Sequence, residues 1–178
     1  MDSINQQQEG QHHQDLRSQA AIGKIKQIAE KAQTCFFCTR AGTDGATTTR
    51  PMSVQQVDES GQLWFLSATD SHKNAQIAAD PRVTVYFQES QHSGFLTLEC
   101  HATLSQDKAK IRELWEPILK TWFTGGVDDP RISVIGLTPH SGYYWDTKHG
   151  DAVAGVKMMI GAALGKTIDD SIEGRVTL

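Results

Sequence analysis

Arg50 and Lys73 are the residues in this chain whose types and spacing suggest chemistry, because they bracket a stretch that reads as two strands and the start of a helix. Val54, Val57, Leu63, Trp64, Phe65 and Leu66 supply strand-type residues on both sides of Asp58-Glu59-Ser60-Gly61, a cluster of turn formers. A turn centred near Ser60 sets Arg50 across from Asp70 and Ser53 across from Ser67. Ser71 or Asp70 can then cap a helix over His72–Ala79, which stops before Asp80-Pro81. Its amino end points back at Arg50. A guanidinium, an ammonium, several hydroxyls and the free N–H groups of a helix start together suit a dianionic phosphate. A solvated charge cluster at a strand end has the same composition, and spacing alone leaves both readings open.

More of the chain follows one recognisable pattern. Arg50-Pro-Met-Ser, Leu63-Trp-Phe-Leu-Ser and Ser71-His-Lys are followed by Asp80-Pro-Arg-Val-Thr-Val-Tyr-Phe, Leu114-Trp-Glu-Pro, Trp122-Phe-Thr-Gly-Gly-Val-Asp-Asp-Pro and Tyr144-Trp-Asp. In that order the segments resemble the pyridoxamine 5′-phosphate oxidase-like split-barrel flavoproteins, in particular the bacterial general stress protein branch. The resemblance implies a mainly β fold: an FMN-binding split barrel with flanking helices and about six to seven antiparallel strands. It also implies a homodimer with FMN at the subunit interface, and nothing in the sequence forbids the longer tail of FAD leaving the phosphate corner.

Carried onto this chain, the resemblance assigns phosphate binding to Arg50 and Lys73, with Ser71 and His72 at the same corner. Ring or ribityl contacts fall on Pro51, Met52, Ser53, Leu66 and Ser67. Trp122, Phe123 and Trp145 form an aromatic cover, drawn from either subunit, although core or dimer packing accounts for each of them equally well. His72 stands where related oxidases carry a cation, so phosphate attraction is the milder reading than proton transfer. Asp128 and Asp129 belong to the motif, yet ahead of Pro130 such a pair more often caps and turns the chain. The chain departs from the pattern at Cys100, at Thr124 and at Gly142-Tyr143. It also lacks the paired arginines of the oxidases' carboxy-terminal substrate segment, since Arg175 stands alone, and oxidase activity on a B6 vitamer is therefore disfavoured.

The bulk properties set limits. A chain of 178 residues suits one domain with its own core. The net charge of −4 lacks the basic footprint that nucleic acids and anionic membranes attract. No apolar run approaches the ~20 residues of a membrane span, and the amino terminus is not signal-like, which reads as a soluble, cytoplasmic protein. Cys35-Phe-Phe-Cys38 has half-site spacing, but in a strand positions three apart face opposite ways, and no partnering pair occurs. No metal site is expected. His12-His13 on a polar tail carries no assigned role.

Residues 1–14 are glutamine-rich with almost nothing to bury, so a frayed tail is expected. From Asp15 as cap, Leu16, Ala20, Ile22, Ile25, Ile28, Ala29 and Ala32 recur at helical spacing. Two hairpins then share the strand over residues 46–57, a third hairpin spans residues 82–105, and a helix over residues 107–120 should kink or end at Pro117. Separate strands are expected over residues 132–137 and 142–146. Because Leu63 to Leu66 and Val83 to Phe87 are apolar on both faces, the outer wall needs covering by a helix or by a second subunit. The barrel domain is placed at residues 15–147 and an extension at 148–178, with a helix over 153–164 and the final segment a strand or disordered. Three functions fit: a flavin-dependent oxidoreductase working with a small-molecule electron donor or acceptor, a non-catalytic flavin-storage or stress-sensing module, and a split barrel that has lost flavin and serves as an oligomeric or partner-binding scaffold.

Overall fold

The computed structural model describes residues 12–41, 46–90, 93–148 and 170–178. Of the frayed tail expected over residues 1–14, residues 1–11 lie outside the described residues, as do the first hairpin's tip and the helix over residues 153–164. Residues 12–14 are not frayed but tied to Glu173, whose carbonyl accepts from Gln14 N–H and whose N–H donates to the His12 carbonyl, both at 2.8 Å.

The chain starts with a two-residue strand β1 (Leu16–Arg17) and helix α1 (Ser18–Ala32). Ile25, Ile28 and Ala29 bury one stripe of α1 as their spacing predicts, joined by Ala21, whereas the expected Ala20 is exposed and Ile22 only half-buried. Asp15 does not cap it: its Oδ1 accepts instead from the Arg175 N–H at 2.8 Å, and no side chain caps the helix start. Gln33 ends the helix in the left-handed region, at φ 58°.

Strands β2 (Thr34–Ala41), β3 (Ala46–Ser53), β4 (Gln56–Val57) and β5 (Leu63–Ala68) follow. β2 and β3 pair from Thr34↔Ser53 to Ala41↔Ala46. The Asp58 carboxylate organises the turn between β4 and β5, accepting from Ser60 N, Gln62 N and Trp64 Nε1 at 2.9, 3.1 and 2.9 Å. Gly61 supplies the positive φ of 83° that this turn needs. Helix α2 (His72–Ala79), β6 (Arg82–Gln88), β7 (Phe95–Ser105) and α3 (Lys108–Leu114) come next. Asp107 caps α3, and Pro117 turns the chain into a 3-10 helix over Pro117–Thr121. A second 3-10 turn, Gly126–Asp128, precedes β8 (Ile132–Thr147), and β9 (Ser171–Thr177) closes the chain.

Mainly β architecture is borne out, but two strands differ from expectation. Residues 46–57 do not form one strand. The predicted register holds at Gln56↔Trp64 and Val57↔Leu63, and then Val54 N–H turns to Gln33 O, at 2.9 Å. β3 therefore stays on β2 and parts from β5, so Arg50 is not paired with Asp70, nor Ser53 with Ser67. In the other direction, the two expected late strands merge into the 16-residue β8. Pro139 is tolerated because the β7–β8 register shifts there: Cys100 pairs with Pro139 and Glu99 with Ser141, leaving His140 as the extra residue of a bulge.

β8 also changes partner along its length. Its first half pairs with β5 and its second half with β9. Strands β3, β2, β6, β7, β8, β5 and β4 run side by side, and the β3–β4 bend joins the two ends into a barrel with a gap between β3 and β5. Its interior is packed by Phe37, Phe65, Leu63, Val85, Leu98, Ile135 and Leu137 together with α1, the rings of Phe37 and Phe65 meeting edge to face at 5.3 Å. β9 is clamped between β8 and β1, and Gly174 allows the Gln14 carbonyl to approach so closely that a Cβ there would clash with it.

The outer wall is covered in one place and open in another. Trp64, Leu66 and Ala68 on β5 pack under Ile111, Leu114, Leu119 and Phe123. Across β2, β6 and β8, Phe36 (59% exposed), Tyr86 (45%) and Trp145 (45%) remain in solvent.

Candidate functional site

Helix α2 lies beside the gap between β3 and β5, and its two flanks do different things. Ser71 caps it, with Asn74 three residues on at the N3 position, the spacing of a capping box. On one flank the Arg50 guanidinium, from β3, donates to Thr39 Oγ1 at 2.8 Å and to Gln76 Oε1 at 2.9 Å. Thr39 in turn donates to the same Gln76 oxygen at 2.6 Å. These partners are neutral. Burial lowers the Arg50 pKa from its ordinary value. Lys73 lies near enough to feel that charge: burial first, and then Arg50, lower its pKa as well. Among the described residues no carboxylate forms an ion pair with either cation. His72, exposed, stands at the first helical position next to Lys73.

On the other flank a buried polar network ties the helix to the sheet. Ser67 Oγ donates to Asn74 Oδ1 at 2.9 Å, Asn74 Nδ2 donates to Ser133 Oγ at 2.7 Å, and Ser133 Oγ donates to the Ser67 carbonyl at 3.1 Å. Ser71 Oγ joins it, 3.1 Å from Ser67 Oγ. The hydroxyls of Ser67 and Ser71 are thus committed to holding α2 in place, and the cations on the opposite flank gain a rigid mount.

The remaining sequence-predicted residues divide. Pro51 and Ser53 are exposed along β3 beside Arg50, and Met52 is half-buried against the main core. Leu66 packs into the second apolar cluster. Of the aromatic cover, Trp122 is 62% exposed, whereas Phe123 is only 6% exposed and fills the cluster under α3. Phe123 is therefore a packing residue, because the 3-10 turn directs it inward. Trp145 lies on the open outer wall, its ring 4.6 Å from that of Tyr143. Asp129 is buried and takes both Arg131 donors, at 3.1 and 2.7 Å, together with Gly125 N at 3.2 Å, which makes it a loop clasp. Cys35 and Cys38 face opposite sides of β2: Cys35 is buried, its thiol pushed up to about 12 by burial, and Cys38 Sγ lies 3.2 Å from Thr49 Oγ1 on the outer side.

Sequence reasoning missed Thr39, Gln76, Asn74 and Ser133. Gln76 stands three residues after Lys73 and four after His72, on their face of the helix, so helical spacing could have found it. Thr39 and Ser133 lie far from α2 in sequence and carried no local signal.

Two cations without carboxylate partners, beside a helix start and an open strand, form a donor set that fits a phosphate monoester. A model of the family described as pyridoxamine 5′-phosphate oxidase like matches residues 20–169 of the chain. The chain belongs to that family. The bli-3 protein of Neurospora crassa is 26% identical over 132 residues, covering 69% of this chain and 63% of that protein, so the chain spans less than two thirds of that relative's length. Among solved structures, a candidate general stress protein 26 from Jannaschia sp. CCS1 superposes with a TM-score of 0.73 at 23% identity, covering 88% of this chain and 97% of that one. A general stress FMN/FAD binding protein from Xanthomonas citri gives 0.58 at 24% identity, covering 68% and 84%. At these identities the two structures speak for the fold. Together with the family match they bear out the split barrel read from the motifs. No helix among the described residues is long and apolar enough to cross a membrane.

Proposed function

We propose that the protein binds a flavin nucleotide, with the terminal phosphate of FMN, or the first phosphate of FAD, at Arg50, Lys73 and His72. The ring lies along β3 by Pro51, Met52 and Ser53, and the bound flavin passes electrons between small-molecule donors and acceptors. The observation that carries this reading is the pairing of Arg50 with neutral oxygens only, while Lys73 shares its field. A cation half-buried without a counter-charge is costly unless a ligand supplies one.

The open outer wall supports a second copy of the chain as the partner that completes the site. Phe36, Tyr86 and Trp145 make an exposed apolar surface beside a cavity of about 360 Å³, and Phe36 pairs directly with Pro51, next to Arg50. Sedimentation of the wild type should give a dimer, and Phe36→Glu with Tyr86→Glu should give a monomer.

The test of flavin binding is retention of visible absorbance when the protein is mixed with FMN and passed over a desalting column. Wild type should elute yellow and Arg50→Ala colourless; equal colour in both would move the phosphate elsewhere. A non-catalytic flavin carrier is the second reading, favoured because the hydroxyls and amides near the corner are bonded to one another rather than left free. Consumption of NADH or NADPH by the flavin-loaded protein separates the two: turnover supports the oxidoreductase, and its absence the carrier.

A further inference from the structure

On the flank of α2 away from Arg50, a cleft of about 550 Å³ opens between the helix and the ends of β7 and β8. That volume lies within the range of small-molecule sites. Ala75, Ala78 and Leu104 give it an apolar wall, and Asp70 and Ser105 a polar rim. Ser71 lines it too, so the cleft and the cationic corner share the amino end of one helix. Asp70 is exposed and near enough to Arg131 to raise its pKa, an effect smaller than that of Asp129.

We propose that this cleft holds the adenosine half of FAD, with the pyrophosphate crossing the amino end of α2 from the corner formed by Arg50 and Lys73. The inference rests on the flavin reading above. The helix is only about 10 Å across, and a ribose phosphate arm leaving the corner reaches the cleft by passing the first turn. There His72 and the amino end of α2 favour a second phosphate. The flat base finds small and apolar side chains, and a carboxylate at the rim can accept from the ribose hydroxyls, as acidic residues do in dinucleotide sites. A flavin ring in the same cleft would leave the β3 edge without a role.

The experiment compares FMN and FAD affinities by calorimetry in wild type and in Ala78→Trp, which fills the cleft from an exposed helix position. Wild type should bind FAD about tenfold or more tightly than FMN. In Ala78→Trp that preference should collapse towards parity while FMN affinity is unchanged. Ala75→Leu, from the same flank, repeats the test should the tryptophan disturb folding. Equal affinity of wild type for both flavins, survival of the preference in both variants, or equal loss of FMN and FAD would each overturn the inference. Failure of wild type to bind either flavin would remove the underlying reading as well, a result distinct from FMN binding without FAD preference.

Discussion

Arg131 and Arg50 both stand near the amino end of α2, and they keep opposite company. Arg131 meets a carboxylate: its Nε and Nη2 donate to Asp129, and the pair holds the Asp129 carboxyl well below the usual carboxylate range. Arg50 meets Thr39 and Gln76, both neutral, and its pKa moves down rather than up. In one place the guanidinium closes a loop and its charge is used up. In the other it is held in position with its charge left over, and Lys73 adds a second. The lesson is that a site for an anion is marked less by the presence of arginine than by the absence of its acid.

The largest effect expected from this contrast is on ligand affinity. Arg50→Ala should weaken FMN binding by one to two decades, about 1.5–3 kcal/mol, in a calorimetric titration. Arg131→Ala should change it less than about twofold; a comparable loss in both variants would break the comparison. Next comes the mount. Asn74→Ala leaves Ser67 and Ser133 without their buried partner and should cost about 1–2 kcal/mol in denaturant unfolding. If stability is unchanged, α2 is not anchored by that network.

A smaller effect follows from Lys73. Its folded pKa lies below the ordinary 10.5, so without ligand the unfolded chain binds the proton more readily, and stability should rise with pH across the window between the two values. A bound phosphate prefers the protonated amine, so FMN affinity should fall over the same window, and Lys73→Met should flatten that fall. Smallest for binding is Asp129→Ala, which should lower the melting temperature by a few degrees and leave FMN affinity unchanged. The Asp129 pair stabilises above the usual carboxylate pKa and is lost only as pH falls through its depressed value, so its signature lies on the acid side. Acid for Asp129 and alkali for Lys73 would separate the two corners in one pH series.

The turn organised by Asp58 and Gly61 and the helix capped by Ser71 were legible because their signals are local. The register that set Arg50 across from Asp70 is not kept, and Arg50 meets α2 through Thr39 and Gln76 from β3, in its place beside β2. The split itself was not legible. It depends on Val54 turning to Gln33 and Gln55 to Trp64, a change of partner that hydrophobic alternation does not record. β8 hid its continuity behind Pro139 for a related reason, since a bulge is defined by the neighbouring strand. Aromatic identity at Trp122 and Phe123 was plain, but which of them turns inward was decided by the 3-10 geometry and by the cluster under α3. The polar network escaped because Asn74 and Ser133 meet only in three dimensions.

The central claim is that the corner on α2 recognises a phosphate, and two ligands differing only in that group test it most directly. Wild-type protein titrated in parallel with FMN and with riboflavin should bind FMN at least about tenfold more tightly, the worth of one charge-assisted contact set. Equal affinity for the two would contradict it.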